Sequence, residues 1–152
     1  MTRLEEWRAL EDAATAAWAA AHLGFVLLRQ GERAEASRQG EAALAAARRA
    51  PEPWAEPWAL HLLGRVAELG GRLAEAHEHY AESIERRRAL GDRQGLASGL
   101  FALARLTITR GDLAAGQAPA EASLAAAREA SDRWDAAHAF GLLARIALER
   151  GD

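Results

Sequence analysis

Arg65, Arg105 and Arg145 stand forty residues apart, and their side chains suit the binding of anions. A guanidinium presents a rigid fork of donors that matches a carboxylate or phosphate through two parallel hydrogen bonds. Three of them in one register on successive helices would clamp the acidic groups of a peptide, with aromatic side chains packing its apolar ones. The same sequence supplies the opposing reading: Glu68 and Glu149 lie one helical turn from Arg65 and Arg145 and neutralise them there. All nineteen basic side chains are Arg, so any anion site in this chain must use guanidinium groups. The absence of Lys and Asn, beside abundant Ala, Gly and Arg, fits GC-rich coding better than heat adaptation.

Other reactive residue types do not converge. In His77-Glu78-His79 the two imidazoles are separated by i, i+2, which points them to different faces of a helix and disfavours chelation. His22, His61 and His138 are far apart and lack a matching Cys or Asp partner. No Ser stands in a nucleophile–base–orienter pattern, and Cys is absent, which removes disulfides and thiolate metal sites. The sequence therefore predicts no catalytic residue, no metal and no cofactor. A formal charge of −3 gives no general attraction for nucleic acid or anionic lipid. No apolar run approaches the ~20 residues that span a bilayer, and the charged start (Met1-Thr2-Arg3-Leu4-Glu5-Glu6) does not resemble a signal peptide. These features predict a cytoplasmic protein with no membrane partner and no direct nucleic-acid partner.

The elements that would position the arginines repeat with them. Gly31, Gly71, Gly111 and Gly151 share the forty-residue spacing, as do Leu23, Leu63, Leu103 and Leu143, and Val26, Val66, Leu106 and Ile146. Self-similarity at fixed period is the mark of stacked repeats. Between the glycines, apolar residues fall at helical steps, as in Leu60-Leu63-Ala67 and Phe140-Leu143-Ala147. Each glycine suits the left-handed end of a helix, and a second helix follows, for example Leu73 to Leu90. Arg86-Arg87-Arg88 near that helix's end reads as a solvated run favourable to the helix dipole, and Glu75, Glu78, Glu82 and Glu85 as a solvated outer face. Asp92 and Asp132 are N-cap candidates, and Pro53 fits a first helical turn. The predicted organisation is a single domain over residues 1–152: a partial helix over 1–12, repeats at 13–52, 53–92 and 93–132, and a partial repeat over 133–152. One continuous helix from about 3 to 30 is the alternative for the start. Trp7, Trp54 and Trp134 are expected to pack, the last two wedged between adjacent repeats at helix starts.

Each repeat resembles the tetratricopeptide family. Leu60, Leu63-Gly64, Ala67, Gly71, Ala76, Tyr80 and Ser83 carry the match, echoed by Ala20, Leu23-Gly24, Leu27, Gly31, Ala36, Gly40 and Ala43 and by Leu100, Leu103-Ala104, Gly111, Gly116, Ala120 and Ser123. Gly40 and Ala120 replace the usual aromatic, and the period is forty rather than the family's thirty-four. Longer repeats with Leu90-Gly91-Asp92-Arg93 and Gly95-Leu96-Ala97 look like the sensor arrays of bacterial LuxR-type and related transcriptional regulators. The resemblance implies an all-α, right-handed superhelical solenoid of about seven helices whose first helices line a concave groove. In that groove it places Trp18 and Phe25, then Trp58, His61 and Arg65, then Phe101 and Arg105, then His138 and Arg145. The function it implies is a non-catalytic scaffold that binds another protein or an acidic peptide. The alternatives are a sensory or coupling fragment of a regulator, and self-association. For the last, Phe140, Leu143, Ala147 and Leu148 on the final helix would lack a partner and pair with a second copy in a homodimer.

Overall fold

The computed structural model describes residues 2–151, with the backbone alone for residues 4–11, so Trp7 lies outside the described side chains. Among the described residues there are seven α-helices and no strand: α1 (Arg3–Arg29), α2 (Arg33–Arg49), α3 (Glu56–Leu69), α4 (Leu73–Leu90), α5 (Arg93–Thr109), α6 (Leu113–Glu129) and α7 (Arg133–Arg150). The all-α class is as expected. The start is a single helix, so the partial helix over 1–12 is replaced by the continuous alternative. Contacts divide the chain into an N-terminal body, Met1–Arg86, and a C-terminal body, Arg87–Asp152.

Five helix ends close in one way. The amide one residue past the left-handed position reaches back to a carbonyl five residues earlier: Glu32 to Leu27 (2.9 Å), Arg72 to Ala67 (2.9 Å), Asp92 to Arg87 (3.0 Å), Asp112 to Thr107 (3.2 Å) and Asp132 to Ala127 (2.8 Å). The ends recur at twenty-residue spacing because first and second helices stop alike. Ser131 holds a positive φ of 56° in the last of these turns, where the equivalent turn forty residues earlier has Gly91 at 68°. Pro51 occupies the same column. Its ring fixes φ near −65°, so this left-handed stop cannot form there. Instead Ala50 is extended (ψ 145°), a 3-10 turn spans Pro53–Ala55, and α3 begins only at Glu56, later than Pro53 predicted. Asp92 and Asp132 cap their helices as expected, accepting from the amides of Gly95 and of Trp134 and Asp135.

Small residues let paired helices cross closely. A Cβ added at Gly64 would stand 2.6 Å from the Tyr80 ring, and one at Gly116 would stand 2.6 Å from Ile108. Two fully buried serines repeat one device forty residues apart: Ser83 Oγ donates to the Pro57 carbonyl (2.9 Å) and Ser123 Oγ to the Ala97 carbonyl (2.8 Å). Each bond ties a second helix to the N-terminal part of its partner and contributes about 1 kcal/mol.

Three packing expectations fail. Arg87 is 2% exposed, whereas Arg86 and Arg88 are exposed as the solvated reading required. At 100° per residue the middle member of a three-residue run can face inward while its neighbours face out. Trp134 is 75% and Trp54 37% exposed, so neither is a buried wedge. Of the outer-face acids, Glu75, Glu78 and Glu85 are exposed, but Glu82 is half-buried and paired with Arg48 and Arg86 at 3.2 Å.

Candidate ligand-binding surfaces on the first helices

In the N-terminal body α1 and α3 lie side by side and share a row of rings. Trp18 and His22, one turn apart on α1, have centroids 4.1 Å apart, and His22 stands 4.9 Å from Trp58 on α3. The row continues from His22 to Phe25 (6.2 Å), from Phe25 to His61 (5.9 Å) and from His61 to the buried Tyr80 (5.3 Å). Such tilted and edge contacts set the positive rim of one ring against the face of the next. His22 Nδ1 lies 2.9 Å from the Trp18 carbonyl, which can only accept, so this nitrogen carries the proton.

The row ends in a polar knot. Tyr80 donates to Glu68 Oε2 at 2.6 Å, and Arg65 donates to the same oxygen at 3.0 Å. Arg65 is therefore held by its own helix, the opposing reading of the arginine register. Trp18 remains 40% exposed, and Phe25, Trp58 and His61 are half-buried. The surface is thus an apolar strip with a neutralised charge at one end. A cleft of about 400 Å³, between the start of α2 and the end of α3, is lined by Arg33, Ala34, Ser37, Val66, Gly70 and Arg72 and contains none of these rings.

The C-terminal body carries a shorter version on α5 and α7. His138 lies 4.8 Å from Trp134 and 5.5 Å from Phe101, and the Arg105 guanidinium sits 5.8 Å from the Phe101 centroid. Again the histidine donates from Nδ1 to the carbonyl of a tryptophan four residues earlier, at 2.8 Å. Arg145 is bonded to Glu149 at 2.7 Å. Arg105 also stacks on a ring, that of Phe101.

Arg87 is buried in the same body. Burial lowers its pKa, against the pull of Asp92, 4.0 Å away, and of Asp135. Burial likewise raises the pKa of Asp135, aided by the charge of Asp132, while Asp132 is held low chiefly by the Asp135 amide. Sequence reasoning missed Arg87, His22 and Tyr80 as members of these clusters. His22 was legible from its place one turn after Trp18. Arg87 was legible from its column, where Ala47 and Ala127 are both buried.

The residues proposed for self-association separate. Leu143 is half-buried against Ala104, Ile108, Ala120, Leu142 and Ile146, and Ala147 is half-buried too, so neither lacks a partner surface as expected. Phe140 and Leu148 are 51% and 79% exposed. Among the described residues there is no group of three or more His, Cys, Asp or Glu able to hold a metal, and no helix long and apolar enough to cross a membrane.

The tetratricopeptide repeat model matches residues 12–89, about half of the sequence. The chain belongs to the tetratricopeptide repeat family. The crystal structure of BtubC (BKLC) from P. vanneervenii superposes with a TM-score of 0.75 over 100% of this chain and 68% of that one, at 16% identity. At that identity the likeness speaks for the fold alone. No curated protein sequence matches the chain. Tetratricopeptide repeats generally mediate protein–protein interaction, and the forty-residue spacing here is a lengthened form of that repeat.

Proposed function

We propose that this protein is a non-catalytic scaffold that binds a peptide segment of another protein along the faces of its first helices. The observation that carries the reading is the half-exposed ring row Trp18–His22–Trp58, continued by Phe25 and His61. Rings fixed by packing offer large contact area at little entropic cost. The bound segment presents apolar side chains to these rings, and the C-terminal body offers a second surface of the same kind, Phe101, Trp134 and His138 with Arg105 stacked on Phe101, to a segment that carries a carboxylate.

Titration of an acidic, aromatic-containing peptide library, followed by tryptophan fluorescence, tests this. Trp18→Ala should weaken the best ligand by about tenfold or more. Arg105→Glu should weaken a ligand of the C-terminal surface likewise, and Arg110→Glu, at an exposed helix end, should change little. The contrast should shrink as salt rises. Equal losses at Arg105 and Arg110, with none at Trp18, would leave only general electrostatic attraction and remove the proposal.

A further inference from the structure

Two histidines, one in each body, make the same bond to their own helix. His22 Nδ1 lies 2.9 Å from the Trp18 carbonyl, and His138 Nδ1 lies 2.8 Å from the Trp134 carbonyl. A carbonyl can only accept, so in the neutral imidazole the proton is on Nδ1 and Nε2 keeps its lone pair. The forty-residue repeat does not account for the recurrence. The column of His22 holds Leu62, Ala102 and Leu142, and that of His138 holds Trp18, Trp58 and Ser98. What recurs is a tryptophan, a histidine one turn on, and a ring of the neighbouring first helix against it. That ring is Trp58 at 4.9 Å in the N-terminal body and Phe101 at 5.5 Å in the C-terminal body.

Each aromatic surface thus contains one polar point of known sign. At a centroid distance of 4.1 Å the Trp18 ring covers a face of the His22 imidazole and not its edge, where Nε2 lies. His22 is half-buried and His138 exposed. A group that reaches Nε2 lies along apolar rings and must end in a donor. A carboxylate or carbonyl would set lone pair against lone pair, and an aliphatic side chain would strip the nitrogen of water without replacing it. A phenol or an indole has the required form, an apolar body with one O–H or N–H. We infer that each histidine, on the peptide-binding reading proposed above, accepts a hydrogen bond at Nε2 from a tyrosine or tryptophan side chain of the bound segment. His22 and His138 are then the residues that decide which segment each surface takes.

The probes are p-cresol and its methyl ether, the tyrosine side chain with and without its donor. Nuclear magnetic resonance of the whole chain, isotope-labelled at the histidine nitrogens, reads both the tautomer and the binding. Without probe, His22 and His138, assigned through His22→Gln and His138→Gln, should show a protonated Nδ1 and a bare Nε2. Cresol should move both Nε2 resonances and bind about fivefold more tightly than the ether, the worth of one neutral hydrogen bond. His22→Phe keeps a ring in the row and removes the acceptor, so at that surface cresol should fall to the affinity of the ether. His22→Gln, whose amide oxygen can stand near the place of Nε2, should restore part of the preference. A proton on Nε2 in the free protein, equal binding of the two probes, or a preference unchanged by His22→Phe would overturn the inference. Equal binding would still support the apolar surfaces themselves, whereas binding of neither probe would remove the surfaces and the inference together.

Discussion

The two bodies are built on one forty-residue template, yet they place their polar groups differently. In the N-terminal body charge stays near the surface: Arg48 meets Glu56 (3.0 Å) and Glu82 (3.2 Å), and Arg86 meets the same two carboxylates (3.5 and 3.2 Å). Glu56 is the only buried member of this ring of four, and both arginines keep about half their side-chain surface. In the C-terminal body a single guanidinium, Arg87, is enclosed where the columns on either side have Ala47 and Ala127. Exposed pairs contribute little each and tolerate change, whereas an enclosed charge costs desolvation and depends on its partners. The same backbone devices recur in both bodies, and the side chain in each column decides which positions tolerate change.

The sharpest break of that comparison is Arg87→Glu. It sets a third carboxylate beside Asp92 and Asp135 in an enclosed site, and should destabilise the C-terminal body by about 3–5 kcal/mol. Arg88→Glu, one residue away but exposed, should stay within about 0.5 kcal/mol. Urea unfolding followed by circular dichroism would separate them. A small, equal effect from both would mean that Arg87 reaches water and that the bodies do not differ in this respect.

A second contrast concerns the helix crossings. Gly64 faces the Tyr80 ring, while forty residues on the same columns hold Ala104 and Ala120. Gly64→Ala puts a methyl where the ring stands and should cost about 1–3 kcal/mol despite the gain in helix propensity. Ala104→Gly loses only propensity and one methyl contact, about 1 kcal/mol. If Gly64→Ala were stabilising instead, the tyrosine would be free to swing away and the first crossing would be no tighter than the second.

How much of this was legible follows from how local each feature is. The glycine-ended turns and the Asp92 and Asp132 caps depend on a few consecutive residues, and their signals survive in the sequence. The ring row was half legible: Trp18, Phe25, Trp58 and His61 lie on one helical face, but the bridging role of His22 depends on how far α1 and α3 are rotated toward each other. The inward turn of Arg87 was hidden because a run of three arginines reads as a helix terminus, although alanines in its column carried the warning. Trp54 and Trp134 share a column and so read as one structural device. Their exposure depends on which helix lies across them, which spacing does not encode.

The smallest effect tests the turns that both bodies share. Ser131 sits at φ 56° in a position where Gly91 does the same task at 68°. A left-handed conformation brings Cβ close to the following carbonyl and costs an L-residue about 1–2 kcal/mol. Glycine escapes that cost but loses more freedom on folding, so Ser131→Gly should stabilise by somewhat less, up to about 1 kcal/mol. Gly91→Ser should destabilise by a similar amount, since both turns close with the same amide-to-carbonyl bond, Asp92 to Arg87 and Asp132 to Ala127. Thermal unfolding of both variants measures the pair. Equal and opposite shifts would mean that the two turns are interchangeable and that the serine is a tolerated strain. A gain at Ser131 with no loss at Gly91 would mean that the packing of Arg87, whose carbonyl closes the earlier turn, holds that turn in place whatever residue stands there.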